Sequence, residues 1–319
     1  MAASKFRPAW WLPGPHLQTL WPTFFRRRPR LPLTPERVAL SDGDFLDLLW
    51  LKGQQSRPLV LLLHGLEGSI HSAYAGGLMQ TLYGSGYDVC FMHFRGCSGE
   101  PNRLDRSYHS GDTGDLQAVV EHIGRQHARS VDGIVGFSLG GNVLLKWLGE
   151  QGATAPVCCA VAVSVPYQLD DAAKRMNRGF SRLYQWHLVS RLRKKYLEKF
   201  KQRPSPLNVD VRQLKTFFDF DDQVTAPLHQ FAGVDDYYHR SSSRQYLPSI
   251  RVPTLLIHAA DDPFMFPHTV PTQQELPEQV WLELSANGGH VGFVGGRWPW
   301  SPRYWVDERV LAWCKAHAS

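Results

Sequence analysis

Short, unbroken apolar runs recur along the chain, and stretches with helical spacing separate them. RPLVLLLHG (57–65) is apolar at consecutive positions and stops at Gly65, the pattern of a strand buried on both faces of a parallel sheet. YDVCFMHF (87–94), then residues 131–137, 158–165, 252–258 and 280–284, repeat it. Helices are expected over 73–83, 112–127, 139–149 and 305–317. In the second of these Leu116, Val119, Val120 and Ile123 share one face, with Asp112 or Thr113 as N-cap. VALSDGDFLDLLWL (38–51) reads as two strands around Asp42-Gly43, a hairpin turn signal. Strand–helix alternation over this length predicts an α/β fold built on a mostly parallel, doubly wound sheet.

The alternation lapses from about 167 to 247, where the chain is polar, basic and helical. Leu188, Leu192, Tyr196 and Phe200 recur every four residues and form one apolar stripe on a basic helix. Two compatible readings follow: a helix packed on the sheet domain, or a lid with an apolar, acyl-binding lining inserted in that domain. Residues 1–35 are rich in Pro, Trp and Arg and read as an irregular arm, its aromatics pinning it to the domain. The whole of 1–319 is then one domain with an arm and a helical cap.

Composition narrows the class. A hydrophobic share of 43% supports a large core, and 20% charged residues argue against a disordered chain. The five cysteines (Cys90, Cys97, Cys158, Cys159, Cys314) include no CxxC and no zinc-like Cys/His spacing, which suits a reducing compartment. Pro8, Pro13 and Pro15 interrupt the N-terminus, so it makes a poor signal peptide, and no apolar run is long enough to span a bilayer. A cytoplasmic location is expected. The net charge of +6 draws on Arg26, Arg27, Arg28 and Arg30 and on a run from Arg191 to Arg203. Solvated surface is the plain reading of these clusters; peripheral contact with an anionic membrane is the sharper one. No nucleic-acid-binding motif is present.

The sharpest chemical signal is GIVGFSLGGN (133–142), in which Gly136-Phe137-Ser138-Leu139-Gly140 fits G-x-S-x-G between an expected strand and an expected helix. A nucleophile on such a turn has a strained backbone, and side chains two residues to either side would clash. A serine hydroxyl needs a base. His290, in SANGGHVGF, follows a strand and sits among glycines downstream of the serine. His64, His93, His109, His258 and His268 read as structural. The base needs an acid to hold its tautomer, and IHAADDPF offers Asp261 and Asp262 at a strand end between Ser138 and His290. Counting three residues from Ala259 selects Asp262, and from His258 selects Asp261. The Leu66 and Leu139 amides are candidates for an oxyanion hole. This chemistry calls for no metal or organic cofactor.

HGLEGSIHSAY, HFRGCSGEPNRLDRSYHSGDTGDL, GFSLGGN, HAADDPF and NGGHVGF, together with the N-terminal GPHLQTLWP, resemble the YheT-type branch of the AB-hydrolase superfamily, the AB hydrolase 4 family. The resemblance runs from about residue 14 to 297. It implies the α/β-hydrolase fold, a serine-hydrolase triad and ester hydrolysis. It carries the nucleophile onto Ser138, the base onto His290 and the acid onto the Asp261-Asp262 pair, with Asp262-Pro263-Phe264 the better match. Small-molecule or lipid esters are the expected substrates. Acyl transfer or thioester cleavage by the same residues is the alternative within enzymes, although His290 lacks an H-x4-D acyltransferase pattern. A non-catalytic membrane-surface scaffold is the alternative outside them.

Overall fold

A computed structural model describes residues 2–53 and 57–318. Nine strands form one sheet: β1 (Ala2–Ala3), β2 (Thr34–Ala39), β3 (Phe45–Leu51), β4 (Leu59–Leu63), β5 (Asp88–Met92), β6 (Gly133–Phe137), β7 (Cys159–Val163), β8 (Thr254–Ala259) and β9 (Val280–Ser285). Their order is β1-β9-β8-β7-β6-β4-β5-β3-β2. Strands from β1 to β5 in that order run parallel, while β3 runs antiparallel to both β5 and β2. A separate hairpin pairs β10 (Val294–Trp298) with β11 (Ser301–Tyr304). The mostly parallel α/β sheet read from the apolar runs is the one observed, in the α/β-hydrolase form that the resemblance implies.

The unbroken runs are explained by helices on both faces. Leu59, Leu61 and Leu63 of β4 join a core with α3 (Thr113–His127) and α4 (Leu139–Gln151). Val60 and Leu62 join the opposite core, with α2 (Ala75–Gly84) and α10 (Trp305–His317). Each fully buried side chain of this kind contributes about 1.5–3 kcal/mol.

Between β7 and β8 come α5 (Leu169–Met176), α6 (Ser181–Lys199), α7 (Phe217–Phe220), a π-helical turn (Asp221–Thr225), α8 (Ala226–Leu228) and α9 (Val234–Ser241). They hold small cores of their own, one around Leu169, Val234 and Tyr237, another around Tyr196, Phe220 and Val224. Leu192 and Phe200 of the apolar stripe pack against the second.

Two expectations change. The arm is not irregular: it contains α1 (Pro15–Phe25). Pro15 stands in the first turn, where a missing N–H costs nothing. Pro22 removes one donor from the Gln18 carbonyl, which packs instead against Gly292, where a Cβ would come within 2.2 Å. Nor are the basic clusters simply solvated. Arg26 is bound to the buried Asp307, Arg191 donates to the Glu67 carbonyl, and Lys199 donates to Asn102 Oδ1 and the Arg106 carbonyl, each at 2.8 Å. Among the described residues no helix is long and apolar enough to cross a membrane.

Candidate active site

Ser138 sits where β6, the central strand, turns into α4. Its φ of 50° and ψ of −117° are strained for a residue with a side chain. The turn requires glycine on both sides. A Cβ on Gly136 would come 2.5 Å from the Gly140 carbonyl oxygen, and one on Gly140 would come 2.5 Å from the His64 oxygen. The strain holds the serine at the C-terminal end of the sheet, at the N-terminus of a thirteen-residue helix.

His290 and Asp262 reach the same place from neighbouring loops. Ser138 Oγ lies 3.0 Å from His290 Nε2, and His290 Nδ1 lies 2.9 Å from Asp262 Oδ2. The Asp262 carboxylate is almost fully buried, and its Oδ1 accepts the Phe264 N–H at 2.8 Å. Phe264 also stacks on the imidazole, with ring centroids 4.0 Å apart and planes within 4°. Asp261 does not meet the imidazole. Its Oδ1 accepts the Gly289 N–H at 2.9 Å and its Oδ2 accepts Asn287 Nδ2 at 3.3 Å, so it pins the loop that carries His290. The two carboxylates therefore face different partners.

Leu66 and Leu139 both line the cavity that Ser138 opens into. The Leu66 N–H has no partner among the described residues, and the Leu139 N–H, at the first position of α4, has no intrahelical acceptor. Both amides are thus available to a developing oxyanion. Its neighbour Glu67 is held firmly. Tyr108 donates to Glu67 Oε1 at 2.9 Å, and Lys195 Nζ and the Arg191 guanidinium of α6 reach Glu67 Oε1 and its carbonyl oxygen, each at 2.6 Å.

The cavity measures about 150 Å³, and its roof is the helical segment. Leu188, Leu192 and Tyr196 of the apolar stripe line it, with Met176 of α5 and Val224 of the π-helical turn. Of the titratable groups that line it, Glu67 pairs with Lys195, and the Asp221 carboxyl, raised by burial to about 6, accepts the Thr225 and Tyr238 hydroxyls. Burial lowers His109 to about 3 and His229 to about 2, so both imidazoles are uncharged. Behind Lys195, outside the lining, Cys97 accepts from the Lys195 ammonium at 2.9 Å, and burial pushes its thiol up to about 11.

The other histidines have other roles. His64 is fully buried; its Nδ1–H donates to the Gly65 carbonyl at 2.6 Å and its Nε2 accepts the Phe94 N–H at 3.1 Å. Burial holds it down at about 3, so it braces the turn before Leu66 as a neutral ring. Burial likewise lowers His258 to about 4. Among the described residues one cluster has the spacing to hold a metal ion: Glu36, His122 and His127, with ligand atoms within 4.8 Å of one another. It lies on β2 and α3, four strands from β6, roughly 19 Å across the sheet. Both imidazoles and the Trp50 indole N–H bond the Glu36 carboxylate, so the cluster is satisfied as it stands.

Several residues around the site were not singled out beforehand. Thr19 Oγ1 accepts the His290 N–H at 2.9 Å. The Gln18 side chain, fully buried, accepts the Val294 N–H at 2.8 Å and donates to the Val294 carbonyl at 3.0 Å. Gly289 is squeezed against α1, where a Cβ would come 2.4 Å from the Pro15 carbonyl oxygen. Thus α1 clamps the His290 loop from outside. The only advance signal was the segment GPHLQTLWP, part of the family resemblance.

A family model described as alpha/beta hydrolase fold matches residues 58–296, and the chain belongs to that family. Within it the protein is YheT-like: it is 40% identical over 318 residues to YheT of Escherichia coli (strain K12), covering 98% of this chain and 93% of that one. It is 30% identical over 314 residues to phospholipase ABHD3 of Mus musculus, covering 94% and 75% of the two chains. It is 28% identical over 276 residues to monoacylglycerol lipase of Saccharomyces cerevisiae, covering 83% and 60%. An esterase from Pyrococcus furiosus superimposes with a TM-score of 0.60 at 19% identity, over 92% of this chain and 100% of that one, a likeness of fold. The protein is a carboxylic ester hydrolase.

Proposed function

We propose that the protein hydrolyses acyl esters through a Ser138–His290–Asp262 triad and an acyl-enzyme intermediate. The observation that carries this reading is the continuous hydrogen-bonded line from Ser138 Oγ through both ring nitrogens to the buried Asp262 carboxylate. Ser138 Oγ attacks the ester carbonyl while His290 Nε2 takes its proton, and Asp262 stabilises the imidazolium. The Leu66 and Leu139 amides receive the oxyanion. Collapse of the tetrahedral intermediate expels the alcohol, which takes the proton from His290. Water then attacks the acyl-enzyme with the same base, and the acid departs. No step requires a metal or an organic cofactor.

The apolar lining from α5, α6 and the π-helical turn suits an aliphatic acyl chain, so lipid or other fatty-acyl esters are the proposed substrates. That two of its relatives are named a phospholipase and a monoacylglycerol lipase agrees with this class. A fluorophosphonate probe should label the wild-type protein, and Ser138→Ala should abolish both labelling and ester hydrolysis. Labelling that persists in the variant would overturn the assignment. A panel of esters of graded chain length, run beside acyl-CoA acceptor assays, separates hydrolysis from acyl transfer.

A further inference from the structure

The helix that clamps the His290 loop is amphipathic in the wrong sense for a domain element. Its buried residues are Gln18, polar and only 1% exposed, and Pro22, whereas Phe24 is 70% exposed and Leu17 and Phe25 are exposed as well. Leu17, Trp21, Phe24 and Phe25 fall at i, i+4, i+7 and i+8, one continuous stripe. In a helix that only packs on its own domain, that stripe would face inward.

The apolar surface continues beyond α1 through direct contacts. The Trp21 ring lies 4.3 Å from Phe25 and 4.7 Å from Trp11. Trp11 and Trp10 donate their indole N–H groups to the Gly296 and Arg297 carbonyls on the β10–β11 hairpin, at 3.2 and 2.9 Å. Trp10 meets Trp298 at 6.5 Å, and Trp298 stacks on Trp300 at 5.3 Å. Trp10 is 71% and Trp300 78% exposed. Trp11 and Trp21 are half-buried and anchor this run to the domain, while Trp10, Phe24, Phe25, Trp298 and Trp300 stand exposed at its two ends, an apolar exposure that marks an interaction surface.

Its charge identifies the partner. Residues 1–35 contain Lys5, Arg7, Arg26, Arg27, Arg28 and Arg30 and no Asp or Glu, which equals the whole net charge of +6 and leaves the rest of the chain balanced. Arg26 is spent on Asp307. Arg27, Arg28 and Arg30 are exposed and make no ion pair among the described residues. Tryptophan and phenylalanine beside unpaired arginines, on a helix lying along the surface, match the boundary of an anionic bilayer: rings at the headgroup level and guanidinium groups on phosphates.

We propose that α1 and the tip of the β10–β11 hairpin dock the protein peripherally on an anionic phospholipid surface. The same helix adjoins the active site. His16 of α1 packs on Phe180 at 4.4 Å and bonds the Tyr184 hydroxyl at 3.2 Å; Tyr184 contacts Phe264 at 5.0 Å, and Phe264 stacks on His290. Docking therefore brings the site to the source of lipid esters. Only that consequence rests on the proposed triad; the docking itself does not.

The test is co-sedimentation of the full chain with vesicles of phosphatidylcholine, alone or mixed with an equal part of phosphatidylglycerol. Wild type should bind the mixed vesicles, release at high salt and largely ignore phosphatidylcholine alone. Arg27→Glu with Arg28→Glu, and separately Phe24→Ser with Trp300→Ser, should each weaken partitioning roughly tenfold or more. Both should keep hydrolysis of a soluble short-chain ester within about twofold, which shows that they are folded. Ser138→Ala should bind like wild type, so a lost reaction with intact docking counts against the triad alone. Wild type that ignores both vesicles, equal binding to both, or variants that bind as wild type does would overturn the proposal.

Discussion

Replacing Asp262 and Asp261 one at a time by Asn separates the two adjacent carboxylates. At Asp262 the outcome follows from the second oxygen. Oδ1 accepts the Phe264 N–H at 2.8 Å, so an Asn there keeps its carbonyl oxygen toward Phe264 and turns its amide nitrogen toward His290 Nδ1. An N–H facing Nδ1 makes Nδ1 an acceptor and moves the ring proton to Nε2, the nitrogen that must accept from Ser138. A wrong tautomer of this kind costs about 10⁴ in kcat in a serine protease triad, or about 5.5 kcal/mol. At Asp261 an Asn keeps a carbonyl oxygen for the Gly289 N–H and gives up only a 3.3 Å contact with Asn287 at the surface, so the loss should stay within about threefold. The assay is kcat and kcat/KM on a chromogenic ester, with thermal unfolding to confirm that both variants fold. A larger loss from Asp261→Asn than from Asp262→Asn, or an Asp262→Asn loss under about tenfold, would refute the reasoning.

Three further outcomes are expected. Thr19→Val strips the acceptor from the His290 N–H and should lower kcat about tenfold with little change in KM, while Thr19→Ser restores it; equal kcat in all three would show that α1 does not position the base. Gly140→Ala drives a Cβ to 2.5 Å from the His64 oxygen and 2.8 Å from the Leu63 oxygen, both rigid backbone, and should cost about 3 kcal/mol in thermal unfolding; an unchanged midpoint would contradict it. The Arg244 guanidinium beside Glu275 holds that carboxyl down at about 2, so its stabilisation is present above the ordinary carboxylate range and is lost as pH falls toward 2. Glu275→Gln should therefore flatten the acid limb of stability against pH, and identical limbs in the two proteins would argue against the pair.

The sheet was legible because its signal is one-dimensional. A strand covered on both faces carries almost no polar side chain, and β4, β6 and β7 have none while β8 has only Thr254 and His258. The elbow at Ser138 was legible for a related reason, since the steric demand falls on residues two positions away and leaves two glycines as its mark. The choice between Asp261 and Asp262 was not, because it depends on which carboxylate turns inward after β8. That is set by the Phe264 N–H on one side and the Gly289 N–H on the other, the latter 28 residues downstream. The hold of α6 on Glu67 was hidden in the same way: Lys195 and Arg191 look like members of a solvated basic run until the fold brings them across some 125 residues to the turn beside Leu66.

The arm was misread for a more instructive reason. Prolines at 8, 13, 15 and 22 argue against a helix on local grounds, and an outward stripe of Leu17, Phe24 and Phe25 is invisible to any rule that sends apolar residues inward. Both anomalies have one physical source. The inner face of α1 supplies hydrogen bonds to a loop, so it must be polar: Gln18 bonds both backbone groups of Val294 and Thr19 takes the His290 N–H. Leu17, Phe24 and Phe25 are left to the outer face. A helix built to orient a catalytic loop on one side is thereby free to meet a lipid surface on the other, and a single element couples where the protein sits to how its base is held. Perturbing the outer face should then move vesicle binding alone, and perturbing the inner face should move kcat alone; a change at Phe24 that lowers kcat on a soluble ester would break that separation.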